Sequence, residues 1–142
     1  MGEDDELYIL GDFCMNGGYE KRNKYREQIN CKHVHLILGN HDTKLIENGK
    51  PSPFESELDY KELRYKDTNF CLSHYPYLSW HLRELDSIMC HGHVHSNKRS
   101  NKINQWQQIH RYDVGVDAND YAPVSIDYIL NFFNESLKDI FD

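Results

Sequence analysis

The sequence has no long apolar segment, and this absence limits where the protein acts. No apolar run approaches the about 20 residues that a helix needs to cross a bilayer. The amino terminus, Met1–Glu6, is acidic where a secretory signal would be basic. We therefore predict a soluble, cytoplasmic protein with no membrane partner.

Basic charge and closely spaced cysteines are also scarce. The 142 residues include 16 lysines and arginines against 23 aspartates and glutamates, which argues against a protein that grips nucleic acid through its phosphates. We therefore expect nucleic acid to interact with this protein only if it is the substrate. The cysteines are scattered without a C-x-x-C pair, so we predict reduced thiols that pack as small apolar groups. They are Cys14, Cys31, Cys71 and Cys90.

What the chain does contain is a series of short apolar runs, each followed at once by polar groups. Runs of this kind are typical of buried strands, and the length fits a single domain over residues 1–142. Open α/β sheets bind ligands at the carboxyl ends of their strands. The four strand ends carry Gly11-Asp12, Gly39-Asn40-His41-Asp42, His74 and Gly92-His93-Val94-His95.

The histidine tract after the predicted strand Ser87–His91 is the strongest of these signals. If the backbone stays extended, His93 and His95 lie two residues apart on one side, an arrangement that suits metal ligands. Gly92 allows a sharp turn between them and the strand. An accidental histidine tract is the alternative interpretation.

The segment Asn40-His41-Asp42 offers a second set of functional groups. The asparagine provides a neutral oxygen ligand, and His41 can donate a proton or orient a substrate. Asp42 is placed to hold the His41 imidazole and raise its basicity. His33 and His35, at the start of the preceding strand, are predicted to be surface residues.

The remaining segments are read from periodicity and from end signals. We predict a solvated helix over 19–30, a half-exposed strand over 58–65, a helical or irregular crossover over 77–86 and a polar loop over 96–104. Strand-like runs follow over 103–116. The last helix is capped by Ser125 and has one apolar stripe. That stripe comprises Ile126, Ile129, Leu130, Phe133, Leu137 and Ile140.

The ordered strand ends closely resemble those of the calcineurin-like metallophosphoesterase superfamily. The segments Val114-Gly115-Val116-Asp117 and Pro123-Val124-Ser125 also resemble the closing section of its small bacterial and phage members. The resemblance implies an α/β fold, a sandwich of two sheets flanked by helices, with a two-metal site at the strand ends. It also implies hydrolysis of phosphomonoesters or phosphodiesters by a metal-activated hydroxide.

The resemblance also assigns roles to single residues. Asp12 would bridge two metals, and His95 would bind the second of them. His41, oriented by Asp42, would protonate the leaving oxygen or stabilise the charge on the phosphate. Oxygen and imidazole ligands admit a divalent transition metal, with manganese expected and iron, zinc or nickel acceptable. The remaining ligands of the first metal would be Asn40, His74 and His93.

One departure from the family pattern concerns its opening Asp-x-His motif, which supplies two ligands. No Asp-x-His precedes Asp12, so the domain is expected to lack the first strand and helix and to be incomplete at its amino terminus. A fragment, a chain completed by another segment, and a degenerate member are the three explanations. Self-association through the exposed strand is a further expectation.

Two other function classes are weighed against a phosphoesterase. His91, His93 and His95 superficially match the histidine triad of nucleotide hydrolases, although that leaves Asp12 and His74 without roles. The second class is a catalytically impaired module that binds metal or phosphate. The sequence leaves the substrate open.

Overall fold

Two β-sheets form the framework of the fold in the computed structural model, which describes residues 1–15, 18–42 and 49–135. The first sheet is parallel, in the order β1 (Glu6–Ile9), β2 (His33–Ile37), β3 (Ser56–Leu58). The second has the order β4 (Tyr60–Tyr65), β5 (Thr68–Ser73), β6 (Ile88–His91), β7 (Arg111–Asp113); only β4 runs antiparallel to its neighbour.

Helices follow strands of both sheets. They are α1 (Tyr19–Glu27), α2 (Lys98–Trp106) and α3 (Ile126–Asn134), with 3-10 turns at Arg83–Leu85 and Val116–Ala118. This arrangement confirms the predicted α/β class with two sheets. None of the helices in the described ranges is long and apolar enough to cross a membrane.

The main core is built from both sheets and α3, which fixes the sheets relative to each other. Alternate strand residues point to opposite sides, so β6 contributes Ile88 and Cys90 to this core while Met89 packs with Cys71 and Trp80. All four cysteines are buried free thiols. The main core consists of Leu10, Ile37, Phe70, Leu72, Ile88, Cys90, Tyr112, Ile129 and Phe132.

The starts of α1 and α3 agree with the sequence prediction, whereas α1 ends at Glu27, three residues before the predicted end at Asn30. The Ser125 side chain accepts a hydrogen bond from the Tyr128 N–H at 3.1 Å and caps α3. Ile129 and Phe132 are the buried residues of this helix, whereas Leu137 and Ile140 lie outside the described residues. Helix α1 begins at Tyr19 as expected.

Three sequence-based predictions of secondary structure were wrong. The predicted strand-like runs over 103–116 are helix up to Trp106 and strand only at Arg111–Asp113. The segment 58–65 is divided at Asp59 between β3 and β4, which belong to different sheets. The segment 96–104 is largely helix α2 rather than a loop. Its buried face is polar, formed by Asn101 and Gln105, so hydrophobic periodicity could not reveal it.

Strand β1 has one neighbour within the described ranges. It pairs with β2 through the register Glu6–His33 to Ile9–Leu36, and no described strand pairs with its other edge. Asp4 and Asp5 precede β1 at its amino end, where Asp4 pairs with Lys32. These two carboxylates are therefore at the opposite end of the strand from Asp12.

Candidate metal centre

Four predicted ligands converge where strands of both sheets end. The His74 Nε2 atom lies 2.9 Å from Asn40 Oδ1, 3.1 Å from His93 Nδ1 and 3.5 Å from Asp12 Oδ2. His93 Nδ1 and Asn40 Oδ1 are 3.2 Å apart. The structure therefore brings together residues that lie up to 81 positions apart in the chain.

The tautomer of His74 suits this cluster to a cation. Its Nδ1 lies 2.8 Å from the Leu10 carbonyl oxygen, which can only accept, so Nδ1 carries the hydrogen. In the neutral ring the Nε2 lone pair then faces the oxygens of Asn40 and Asp12. His74 is buried, Asp12 is half-buried, and Asn40 and His93 are exposed, so a cation bound between these electron-rich donors could still be reached from solvent.

The spacing of the donors also fits a metal ion. At metal–ligand distances of about 2.1 Å, neighbouring ligands are about 3.0 Å apart in an octahedral shell and about 3.4 Å apart in a tetrahedral one. The four measured separations, 2.9 to 3.5 Å, fall on these values. Two imidazoles with two oxygen donors form a set that divalent transition metals accept.

Two glycines allow the backbones at this centre to approach closely. Gly11 has φ +93°, and a Cβ there would overlap the His74 ring and the Gly39 Cα atom. A Cβ at Gly39 would overlap the Asp12 carboxylate and backbone nitrogen. Asp12 itself has φ +55°. The loops that follow β1 and β2 are therefore packed directly against each other.

Asp42 joins these loops through their backbones. Its carboxylate accepts hydrogen bonds from the N–H groups of Asp12 at 2.7 Å, Gly39 at 2.8 Å and Phe13 at 3.0 Å. The Asp42 carboxylate therefore binds backbone N–H groups, and within the described residues it makes no hydrogen bond with the His41 imidazole.

His41 lies at the exposed edge of the centre. Its backbone N–H donates to Asp12 Oδ1 at 2.9 Å, which orients the predicted bridging carboxylate. The imidazole is exposed and has no hydrogen-bond partner among the described residues.

His95 lies beside the centre and outside its donor cluster. The described cluster of titratable donors consists of Asp12, His74 and His93. His95 Nδ1 instead pairs with Asp117 Oδ2 at 2.7 Å. This hydrogen bond raises the pKa of the His95 imidazole above its usual value, with smaller contributions from the charges of Asp113 and Asp12.

The histidine tract is not extended, contrary to the condition on which its sequence interpretation depended. Strand β6 ends at His91, and His93 and His95 have φ values of +69° and +46°. His91 is buried with Nδ1 2.9 Å from the Gly92 carbonyl, and burial lowers the pKa of its imidazole. The three rings therefore have three different surroundings.

Comparison with known proteins places the chain in a family. The family model described as calcineurin-like phosphoesterase matches residues 2–139. The chain belongs to the calcineurin-like phosphoesterase family. This match leaves the histidine-triad alternative without support. At family level the protein is thus a metal-dependent phosphoesterase, and the donor cluster is suited to the metal.

Individual relatives are similar in sequence but carry no named activity. The Gene 66 protein of Mycobacterium phage D29 is 30% identical, with 87% of this chain and 73% of that protein covered. An uncharacterized protein of Methanocaldococcus jannaschii is 27% identical, with 92% and 67% covered. A crystal structure of an Aquifex aeolicus protein of unknown function is 26% identical, has a TM-score of 0.66, and matches over 92% of this chain and 77% of its own.

Sequence reasoning gave no role to three side chains in and around the candidate metal centre. Tyr75 packs edge-on against the rings of His74 and His93, at centroid distances of 4.9 and 4.8 Å. Asp113 is buried and holds Ser96, and Asp117 holds His95. The likeness of Val114–Asp117 to the closing section of the family was the one signal that pointed to this region.

Proposed function

We propose that the chain hydrolyses phosphomonoesters or phosphodiesters at the strand-end centre. Asp12, Asn40, His74 and His93 hold one divalent transition metal ion, and Asp12 and His95 serve a second. The observation that carries the proposal is the convergence of four donors. Asn40, His93 and Asp12 each place a donor atom within 3.5 Å of His74 Nε2, and the donor atoms of Asn40 and His93 are 3.2 Å apart. Manganese is the expected metal, and the same ligand types accept iron, zinc or nickel.

A divalent metal held by these residues would supply Lewis acidity toward phosphate oxygens and would lower the pKa of bound water. The chain's own residues do the rest of the work. The exposed His41 ring protonates the leaving oxygen, while its backbone N–H holds Asp12. Asp42 acts indirectly, because its three backbone hydrogen bonds fix the loops that carry Asp12 and His41. We also propose a cytoplasmic location, supported by four free thiols.

Turnover of bis-p-nitrophenyl phosphate with added Mn²⁺ tests the proposal. We expect activity that is removed by a chelator, restored by Mn²⁺ and lost in His74→Ala. His33→Ala is the matched control, because His33 pairs with Glu55 at the other end of the first sheet. Equal turnover in His74→Ala and the unmodified chain would overturn the assignment.

A second candidate function is a catalytically impaired module that binds metal or phosphate, or a fragment that needs an upstream segment. It is favoured by the small number of ligands for the second metal, since His95 and Asp12 are the two assigned within the described part of the chain. Stoichiometric Mn²⁺ binding without turnover would identify this alternative. Turnover that depends on Mn²⁺ and is not raised by an added upstream strand ending in Asp-x-His would exclude it.

A further inference from the structure

We propose that Asp117 is a positioning residue that holds His95 as a ligand of the second metal. The inference rests on the function proposed above. Asp117 Oδ2 lies 2.7 Å from His95 Nδ1. A carboxylate can only accept, so the hydrogen of the neutral imidazole is on Nδ1 and the Nε2 lone pair is left for a metal. His95 is largely exposed, and without this partner its ring would be free to rotate and to exchange tautomers.

The turn that contains Asp117 is fixed by hydrogen bonds and by a buried alanine. Asp117 lies in the 3-10 turn Val116–Ala118, where Ala118 is buried and its N–H donates to the Gly115 carbonyl at 3.0 Å. The Asn119 side chain donates to the carbonyls of Gly115 at 2.8 Å and Asp113 at 2.9 Å. The carboxylate of Asp117 is therefore presented from a fixed backbone, as a positioning group requires.

One buried carboxylate ties this turn to the loop that carries His95. Asp113 accepts from the Ser96 N–H at 3.2 Å and from the Ser96 hydroxyl at 2.5 Å. It also accepts from the Gly115 N–H at 2.8 Å. The backbones on which Asp117 and His95 lie are thus connected through a single side chain, which keeps their separation constant.

The test measures the His95 ring directly, first in the metal-free chain. Long-range ¹H–¹⁵N spectra report which ring nitrogen carries the hydrogen. We expect the Nδ1–H tautomer in the unmodified chain, a mixture in Asp117→Ala, and partial retention in Asp117→Asn, whose amide oxygen still accepts. Asp120→Ala is the matched control, because Asp120 lies three residues further along and pairs with Lys98 instead.

The second measurement follows a Zn²⁺ titration on the ring nitrogens of each histidine. His74 and His93 report the first metal and His95 reports the second. We expect Asp117→Ala to weaken Zn²⁺ binding at His95 by about 10–100-fold, the usual effect of removing a carboxylate behind a metal-bound histidine. Binding at His74 and His93 should change little, and Asp120→Ala should match the unmodified chain.

The outcomes separate this inference from the proposed function. An unchanged His95 tautomer in Asp117→Ala, or equal weakening at all three histidines, would overturn the positioning role. A His95 ring that ignores Zn²⁺ in the unmodified chain would overturn its role as a ligand. Failure of the proposed metal site looks different, because His74 and His93 would then not respond to Zn²⁺. Loss of turnover alone, with normal Zn²⁺ responses of all three histidines, would overturn the hydrolytic function and leave the positioning role of Asp117 intact.

Discussion

At the scale of single residues, the centre depends on which nitrogen of each histidine is available. The Leu10 carbonyl determines this for His74, and Asp117 determines it for His95. His93 differs from both, because its Nδ1 is the atom that meets the other donors. Residue types and their order could predict these histidines as ligands. Their hydrogen-bond partners could not be predicted, because Leu10 lies 64 residues from His74 and a backbone carbonyl leaves no mark in the sequence.

The first prediction concerns metal binding by the four converging donors. Elemental analysis and calorimetry should find one tightly bound transition metal per chain, because the second metal has only Asp12 and His95 as assigned ligands. Asp12→Ala and His93→Ala should each abolish this binding. The control is again His33→Ala, which should bind normally. Stoichiometric binding that survives Asp12→Ala would contradict the ligand set.

The second prediction separates proton donation from metal binding at His41. Its ring has no described partner, so His41→Ala should keep the metal while turnover falls by about 10²–10⁴, the usual contribution of a general acid. A p-nitrophenolate leaving group needs little protonation. The loss should therefore be smaller for p-nitrophenyl esters than for alkyl esters, and an equal loss on both would contradict the role.

At the scale of elements, the loops at the centre are fixed by contacts between them rather than by their own sequences. The sequence shows Gly11 and Gly39 as turn residues, but it does not show how closely their backbones approach each other. Helix α2 shows the same limit. Asn101 exchanges hydrogen bonds with the Asp113 backbone at 2.8 and 3.0 Å. A polar side chain therefore attaches this helix to β7, where hydrophobic periodicity would require an apolar one. A sequence pattern predicts burial of apolar residues and misses burial of a paired asparagine.

The third prediction follows from the close approach of Gly39 to Asp12. Gly39→Ala should displace Asp12, because the added methyl group has no space beside its carboxylate. We expect metal affinity to fall by tenfold or more and the protein to lose roughly 1–3 kcal/mol of stability from overpacking. Gly18→Ala is the matched control, since its Cβ would meet nothing within 4 Å and its φ is −64°. Calorimetry with Mn²⁺ and thermal unfolding check both, and normal metal affinity in Gly39→Ala would contradict the close approach.

At the scale of the whole molecule, the centre exists because two sheets share a core. Asp12 and Asn40 follow strands of the first sheet, and His74 and His93 follow strands of the second. Leu10 and Ile37 from the first sheet pack with Phe70 and Ile88 from the second. The sequence could predict the individual strands and the family resemblance could predict two sheets. The division at Asp59 was not predictable, because β3 and β4 are adjacent in the chain and differ only in the partners they find.

The last prediction concerns the edge of β1, and it concerns packing and metal binding together. Within the described residues β1 pairs only with β2, and an unpaired edge is a known route to self-association. We therefore expect the 142-residue chain to form oligomers and to turn over bis-p-nitrophenyl phosphate slowly. Supplying a strand that ends in Asp-x-His, fused upstream or as a separate peptide, should give a monomer with two Mn²⁺ ions and faster turnover.

The matched control for this experiment is the same strand ending in Ala-x-Ala. It can cover the edge of β1 but brings no ligands, so it should restore the monomer without the second metal or the faster turnover. Light scattering measures the association, and elemental analysis with kinetics measures the rest. If the 142-residue chain is already a monomer with two metals and full activity, its own residues complete the site, and the unpaired edge of β1 causes neither association nor loss of a metal. Asp4 and Asp5 are not those residues in this structure, because they precede β1 at its far end.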